Sequence, residues 1–207
     1  MLERVMAESE RRKMKDKKIR TMTLTAILIA ITLVLGLTNI GIISIPPANV
    51  TTMHIPVIIG ALLLGPKTGL LLGFMFGLTS VWKAFTATSS LVGPLLAESP
   101  VLVIIMSVLS RLMIPIVAYL VYKMIAKKKE SVALVAGPVA GTLTNTVCYL
   151  GLMLLFYSLT GINSAKVVAV ITGAGLMNGS LEALAAALIC GPVIYAVRKS
   201  MNTDTKE

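Results

Sequence analysis

Long apolar runs separated by short basic gaps constrain the fold of this chain more than any other feature. The runs lie at about residues 22–37, 53–64, 68–82, 101–125, 132–159 and 167–197. A helix that crosses a bilayer needs roughly 20 residues. The second run is short for that purpose, and we count it as a span because the charge distribution requires it. Hydrophobic residues make up 56% of the chain, which leaves too little polar surface for a soluble domain.

The positions of the 19 Lys and Arg residues predict the orientation of the spans. Eight precede the first run, Lys67 lies in the second gap, four lie at the end of the fourth run and in the gap after it, and three follow the sixth. With a cytoplasmic N-terminus these sixteen face the cytoplasm, where basic loop residues concentrate. Only Lys83 and Lys166 lie outside, and Arg111 lies within a span. We therefore predict an all-α integral membrane protein, a single bundle of six transmembrane helices with cytoplasmic N- and C-termini.

Several other protein classes do not fit the sequence. The net charge of +10 lies mainly in the gaps and does not alternate with aromatic residues as in single-strand nucleic-acid binders. We expect the lipid bilayer, not nucleic acid, to meet these charges. Cys148 and Cys190 are too few for a disulfide framework or a metal site. Because no Walker motif, Ser-His-Asp set or His-Glu-x-x-His motif occurs, we expect no enzymatic activity, no metal and no cofactor bound by this chain.

Small residues recur at four-residue spacing in two of the runs. Ala26 and Ala30 share one face of the first helix, and Gly69, Gly73 and Gly77 share one face of the third. Such faces let another helix backbone approach closely. The glycine face predicts packing within the bundle. The alanine face fits either packing within the bundle or a surface for another subunit.

Polar residues at membrane depth are costly and therefore informative. Arg111 lies in the fourth run, Asn145 and Tyr149 lie four apart in the fifth, and Asn178 and Glu182 lie four apart in the sixth. If the helices turn these residues toward one another, they form a polar pocket. The alternative is a structural ion pair between Arg111 and Glu182 together with interhelical amide hydrogen bonds, and the two arrangements are compatible.

Three further residues are candidates at the outer mouth of such a pocket. Asn49 lies in the first outer loop, His54 follows that loop, and Trp82 ends the third run. Trp82 equally suits an ordinary interfacial anchor, and His54 equally suits a capping or packing role.

Over about Thr21 to Lys199, the chain resembles the substrate-binding S-components of energy-coupling factor vitamin transporters. The resemblance depends on size, six spans, the Ala26-to-Ala30 segment and the run from Met53 to Lys67. It implies that the chain captures a vitamin at its outer face, under the first loop, and docks through Ala26 and Ala30 on a transmembrane coupling subunit. That subunit carries two cytosolic ATPase subunits, which use the ATP. ATP turnover would topple the S-component and release the vitamin inside.

The residues most resemble the pantothenate-binding members of that family. Arg111 suits the carboxylate of pantothenate, and Asn145 and Asn178 suit its amide and hydroxyl groups. Riboflavin or a hydroxymethylpyrimidine would ask for more aromatic stacking than these spans offer. Hydroxymethylpyrimidine, riboflavin, folate and cobalamin stay open as alternatives, as does a self-sufficient secondary carrier that uses Glu182 as its coupling carboxylate.

The predicted organisation has three parts. Residues 1–20 form a basic cytoplasmic segment, residues 21–199 form the six-helix substrate-binding domain, and residues 200–207 form a cytoplasmic tail. The predicted location is the cell membrane of a bacterium, as a multi-pass protein.

Overall fold

Long apolar helices dominate the computed structural model of the chain. It describes residues 2–38, 40–45, 48–163, 165–170, 173 and 175–203. In chain order the elements are α1 (Leu2–Leu37), β1 (Ile42–Ile45), β2 (Ala48–Thr51), α2 (Ile55–Leu64), α3 (Pro66–Thr86), α4 (Gly93–Glu98), α5 (Pro100–Ala126), α6 (Glu130–Leu159), α7 (Ala165–Val170) and α8 (Leu176–Thr203).

Among the described residues, five helices are long and apolar enough to cross a membrane. They lie in α1, α3, α5, α6 and α8, at Met14–Leu37, Pro66–Thr86, Pro100–Ala126, Glu130–Leu159 and Met177–Ser200. Five of the six predicted spans therefore have the length and composition of a membrane-crossing helix. The predicted second span corresponds to α2, whose ten residues reach only about 15 Å. Gly65, with a φ of 97°, ends this helix, and Pro66 begins the next.

The short helix α2 lies inside the bundle. Its residues from Ile55 to Leu62 are all buried, and it packs against α1, α3, α5 and α8. A helix that is apolar on every side belongs in the interior. This interior position explains why the second run has no polar face.

Three regions of the structure contain regular elements that were not specified from the sequence. The basic N-terminal segment continues without a break into the first span, because no helix-stopping residue separates them. The first loop contains an antiparallel hairpin in which Ile42 pairs with Thr51. The predicted connection 83–100 is partly helical, since α3 extends to Thr86 and α4 follows it. We call the end of the bundle with the hairpin and α4 the hairpin end, and the end with Arg198 the basic end.

The glycine face of α3 packs closely on α5, as predicted. A Cβ atom at Gly69 would lie 2.8 Å from the Pro115 side chain, and one at Gly73 would lie 2.7 Å from the carbonyl oxygen of Arg111. At Gly77 it would lie 3.1 Å from the Cα atom of Val108. Gly137 and Gly141 of α6 make similar approaches to Ile114, Ala118 and Tyr122 of α5. Helix α5 therefore packs against two glycine-lined faces.

Replacing Gly73 with alanine is expected to destabilise the protein. The new methyl group forces α3 away from the backbone of α5, and overpacking of this kind costs about 1–3 kcal/mol. The measurement is the midpoint of thermal unfolding in detergent. Gly151→Ala is the matched control, because no atom lies within 4 Å of the added Cβ there. Equal midpoints for the two variants would contradict the close contact.

Arg198 joins several helices at the basic end. Its Nη2 donates to the carbonyl oxygen of Leu62 at 3.0 Å, and its Nη1 donates to the Tyr122 hydroxyl at 2.8 Å. The same Nη1 forms an ion pair with Glu130. The last carbonyl groups of a helix have no partner within it, so Arg198 of α8 supplies a donor to the end of α2.

Candidate functional site

A cavity of about 230 Å³ lies at the hairpin end of the bundle. Strand β2, the segment that follows it, α3, the connection after α3, α5 and α6 all contribute to its wall. Its lining residues are Thr51, Met53, Phe76, Ser80, Lys83, Ala84, Ala87, Ser89, Val92, Arg111, Asn145 and Tyr149.

Arg111 of α5 is held in this cavity by two aromatic rings. Its guanidinium carbon lies 4.4 Å from the ring centroid of Tyr149 and 5.4 Å from that of Phe76. Its Nη1 donates to the Ser110 hydroxyl oxygen at 2.7 Å. Its Nε is buried and has no hydrogen-bond partner. Ring stacking therefore fixes the guanidinium plane and leaves a donor for a molecule in the cavity.

Asn145 and Tyr149 line the cavity together, as their four-residue spacing on α6 predicts. The Oδ1 atom of Asn145 is buried and has no hydrogen-bond partner. A buried polar atom without a partner costs about 1–3 kcal/mol, and a bound ligand or water would remove that cost.

Glu182 and Asn178 of α8 are not among the lining residues of the cavity. One oxygen of Glu182 accepts from the backbone N–H of Thr51 at 2.9 Å and from its hydroxyl at 2.6 Å. Within the described residues Arg111 and Glu182 form no ion pair, although they attract each other electrostatically. The Oδ1 atom of Asn178 is buried without a partner.

The three candidates at the mouth lie in different surroundings. His54 is fully buried at the start of α2, and neither ring nitrogen has a hydrogen-bond partner. Trp82 is 60% exposed and is not among the lining residues. The backbone of Asn49 pairs with Ser44 in the hairpin, and its side chain lies outside the described part. Of the eight candidate binding residues, Arg111, Asn145 and Tyr149 line the same cavity. That any of the eight contacts a ligand stays a prediction.

The contribution of α3 to the cavity was not predicted from the sequence. Phe76, Ser80 and Lys83 recur at three- and four-residue spacing beside the glycine face, and all three line the cavity. The Nζ of Lys83 donates to the Thr38 carbonyl oxygen at 3.1 Å, so it ties the end of α3 to the end of α1. Ser80 and Lys83, two polar residues one turn apart near the end of an apolar helix, were the sequence signal that could have indicated this contribution.

Ala26 and Ala30 lie exposed on α1, away from the cavity. They share this surface with Ile27 and Ile31, whose side chains are also exposed. This exposure favours a surface for another subunit over packing within the bundle.

The cavity combines two cations, Arg111 and Lys83, with hydroxyl and amide groups and two aromatic rings. Such a lining suits a small anion that also carries hydrogen-bonding groups. No group of three or more potential metal ligands occurs among the described residues.

Comparison with known proteins gives two matches. The family model described as "ECF transporter, substrate-specific component" matches residues 20–194. The chain is also similar to a protein of Lactococcus lactis subsp. cremoris (strain MG1363) named pantothenic acid transporter PanT. The two are 33% identical over 205 residues, which cover 92% of this chain and 100% of that protein.

Proposed function

Because the chain belongs to the substrate-specific components of ECF transporters, we propose that it captures pantothenate in the cavity at the hairpin end. Members of this family are vitamin-binding subunits of transporters, not enzymes, and they lie in bacterial cell membranes as multi-pass proteins. They generally work with a membrane coupling subunit and ATPases. The similarity to a protein named for pantothenic acid transport supports pantothenate as the vitamin.

The observation that carries the proposal is the stacked guanidinium of Arg111 with its unpartnered Nε. Pantothenate has one carboxylate, one amide and two hydroxyl groups. Arg111 receives the carboxylate through charge-assisted hydrogen bonds, and Lys83 adds positive charge at the same cavity. Asn145, whose Oδ1 has no partner, and Ser80 face the amide and hydroxyl groups.

The volume of the cavity favours a small vitamin. Sites for drug-sized ligands measure about 300–1,000 Å³, and this cavity measures about 230 Å³. Cobalamin and folate are much larger than pantothenate. Riboflavin needs flat stacking surfaces for a three-ring system, whereas Phe76 and Tyr149 here stack on Arg111.

The proposed topology has six crossings with both termini in the cytoplasm. The concentration of basic residues at the basic end supports this orientation. With the basic end in the cytoplasm, the cavity at the hairpin end opens on the outer side of the membrane. The second crossing is made by α2 together with the hairpin that precedes it, since α2 alone spans about half of a bilayer core of roughly 30 Å.

The proposed docking surface for the coupling subunit is the exposed alanine face of α1. Ala26 and Ala30 leave room for a second helix to approach closely. The coupling subunit and its two ATPases then drive the toppling that releases the vitamin in the cytoplasm.

Titration of the purified chain with pantothenate tests the proposed function. We expect saturable binding with a submicromolar Kd by calorimetry, together with pantothenate in the mass spectrum of molecules carried through purification. Riboflavin, a hydroxymethylpyrimidine and folate serve as comparison ligands. Tight binding of one of these without pantothenate binding would overturn the vitamin assignment. Gradient-driven uptake by liposomes that contain this chain alone would instead identify a secondary carrier.

A further inference from the structure

Two hydrogen bonds join the hairpin to the last long helix beside the cavity. The backbone N–H and the hydroxyl of Thr51 both donate to the same oxygen of Glu182, at 2.9 and 2.6 Å. Thr51 is the last residue of β2, and Glu182 lies in the second turn of α8. The Glu182 side chain is only 7% exposed, so water competes little for this carboxylate.

The hairpin forms part of the cavity wall through the residues at its end. Thr51 and Met53 both line the cavity. The next residue, Thr52, donates its backbone N–H to the carbonyl oxygen of Gly41 at 2.9 Å, which closes the base of the hairpin. A movement of Thr51 away from α8 therefore moves this wall as well.

The charge of Glu182 does not suit direct contact with an anionic vitamin. A carboxylate beside a bound carboxylate is repelled by it. Glu182 is also not among the lining residues, and its acceptor oxygen already receives two donors from Thr51. Burial of a carboxylate is costly unless hydrogen bonds and a cation offset it, and here Thr51 donates two hydrogen bonds to Glu182.

We propose that Glu182 is a positioning residue that holds the hairpin wall of the cavity through Thr51 and thereby slows ligand dissociation. The proposal revises the predicted role of Glu182 from a ligand contact to a support for Thr51, and it rests on the proposed function only for the identity of the ligand. Hydrogen bonds to an ionised acceptor are about twice as strong as neutral ones, which makes the charge of Glu182 the property to test.

The test compares Glu182→Gln with the wild type in two measurements. In the first, hydrogen–deuterium exchange of the ligand-free protein, we expect faster exchange in residues 48–52. The second measurement is stopped-flow dissociation of pantothenate. We expect the dissociation rate constant to rise about tenfold and the association rate constant to change less, because the loss of a contact mainly affects dissociation. Glu98→Gln removes the same charge from an exposed position on α4 at the same end and is expected to change neither measurement.

Thr51 provides the second half of the test. Thr51→Val removes the hydroxyl donor but keeps the shape of the side chain, and we expect it to reproduce the faster release. Thr51→Ser keeps the hydroxyl donor, and we expect it to release pantothenate more slowly than Thr51→Val.

Two outcomes would overturn the proposal. Unchanged exchange of residues 48–52 in Glu182→Gln would show that the carboxylate does not hold the hairpin. Tighter pantothenate binding by Glu182→Gln, with unchanged exchange, would show that Glu182 acts only as a repelling charge near Arg111. Because the exchange measurement needs no ligand, absence of pantothenate binding to the wild type would contradict the proposed function and leave this test intact.

Discussion

Replacing Arg111 with alanine is expected to remove nearly all pantothenate binding. The change deletes the half-buried cation proposed to receive the carboxylate, and loss of one member of a buried charged pair costs about 2–5 kcal/mol. At about 1.4 kcal/mol for each factor of ten, the Kd rises roughly 30-fold to several thousand-fold. Isothermal titration calorimetry with the purified variant measures this change.

A variant and an analogue separate the role of the charge from that of the fold. Arg111→Lys keeps the positive charge but loses the planar group that stacks between Tyr149 and Phe76, so we expect intermediate affinity. Pantothenol, in which an alcohol replaces the carboxylate, is expected to bind the wild type weakly and to lose little further affinity in Arg111→Ala. If pantothenate bound Arg111→Ala as tightly as the wild type, Arg111 would be structural and the proposed pose would be wrong.

The convergence of Arg111 with the polar face of α6 could be predicted because two local rules point to it. Side chains four apart share a helix face, and polar groups at membrane depth avoid lipid. Asn145 and Tyr149 obey both rules and meet Arg111 in one cavity. The same reasoning applied to α8 predicted that Glu182 would face the ligand or Arg111. In the structure Glu182 accepts hydrogen bonds from Thr51, a residue 131 positions away in sequence, and no periodicity encodes such a partner.

The first loop and the second run show where local patterns fall short. The hairpin at 42–51 has no asparagine–glycine or similar turn pair, the usual short-range signal of such an element. Helix α2 has the composition of a transmembrane run because it is apolar throughout, yet eight of its ten residues are buried against other helices. Burial by other helices and burial by lipid select the same residue types, so composition alone does not separate them.

Replacing Ala26 or Ala30 with tryptophan is expected to abolish vitamin uptake without changing vitamin binding. Both residues are exposed on α1 and lie outside the cavity, so a larger side chain meets no atom of the binding site. On the proposed docking surface it holds the coupling subunit away by the width of an indole ring, whereas close approach requires small residues. Uptake of labelled pantothenate by liposomes that contain the full four-subunit complex is expected to decrease more than tenfold, with an unchanged Kd for the isolated chain.

Val147→Trp is the matched control for this pair of variants. Val147 is 69% exposed on α6, a helix that packs on α5 and α8, so the same bulky side chain enters the lipid at a different face. We expect normal uptake and normal assembly with the coupling subunit. Equal loss of uptake in Val147→Trp would mean that any bulky substitution impairs movement of the protein in the membrane, and the docking surface would then have to be sought elsewhere. Loss of vitamin binding in Ala26→Trp would contradict the exposed position of α1 and would return the alanine pair to the interior of the bundle.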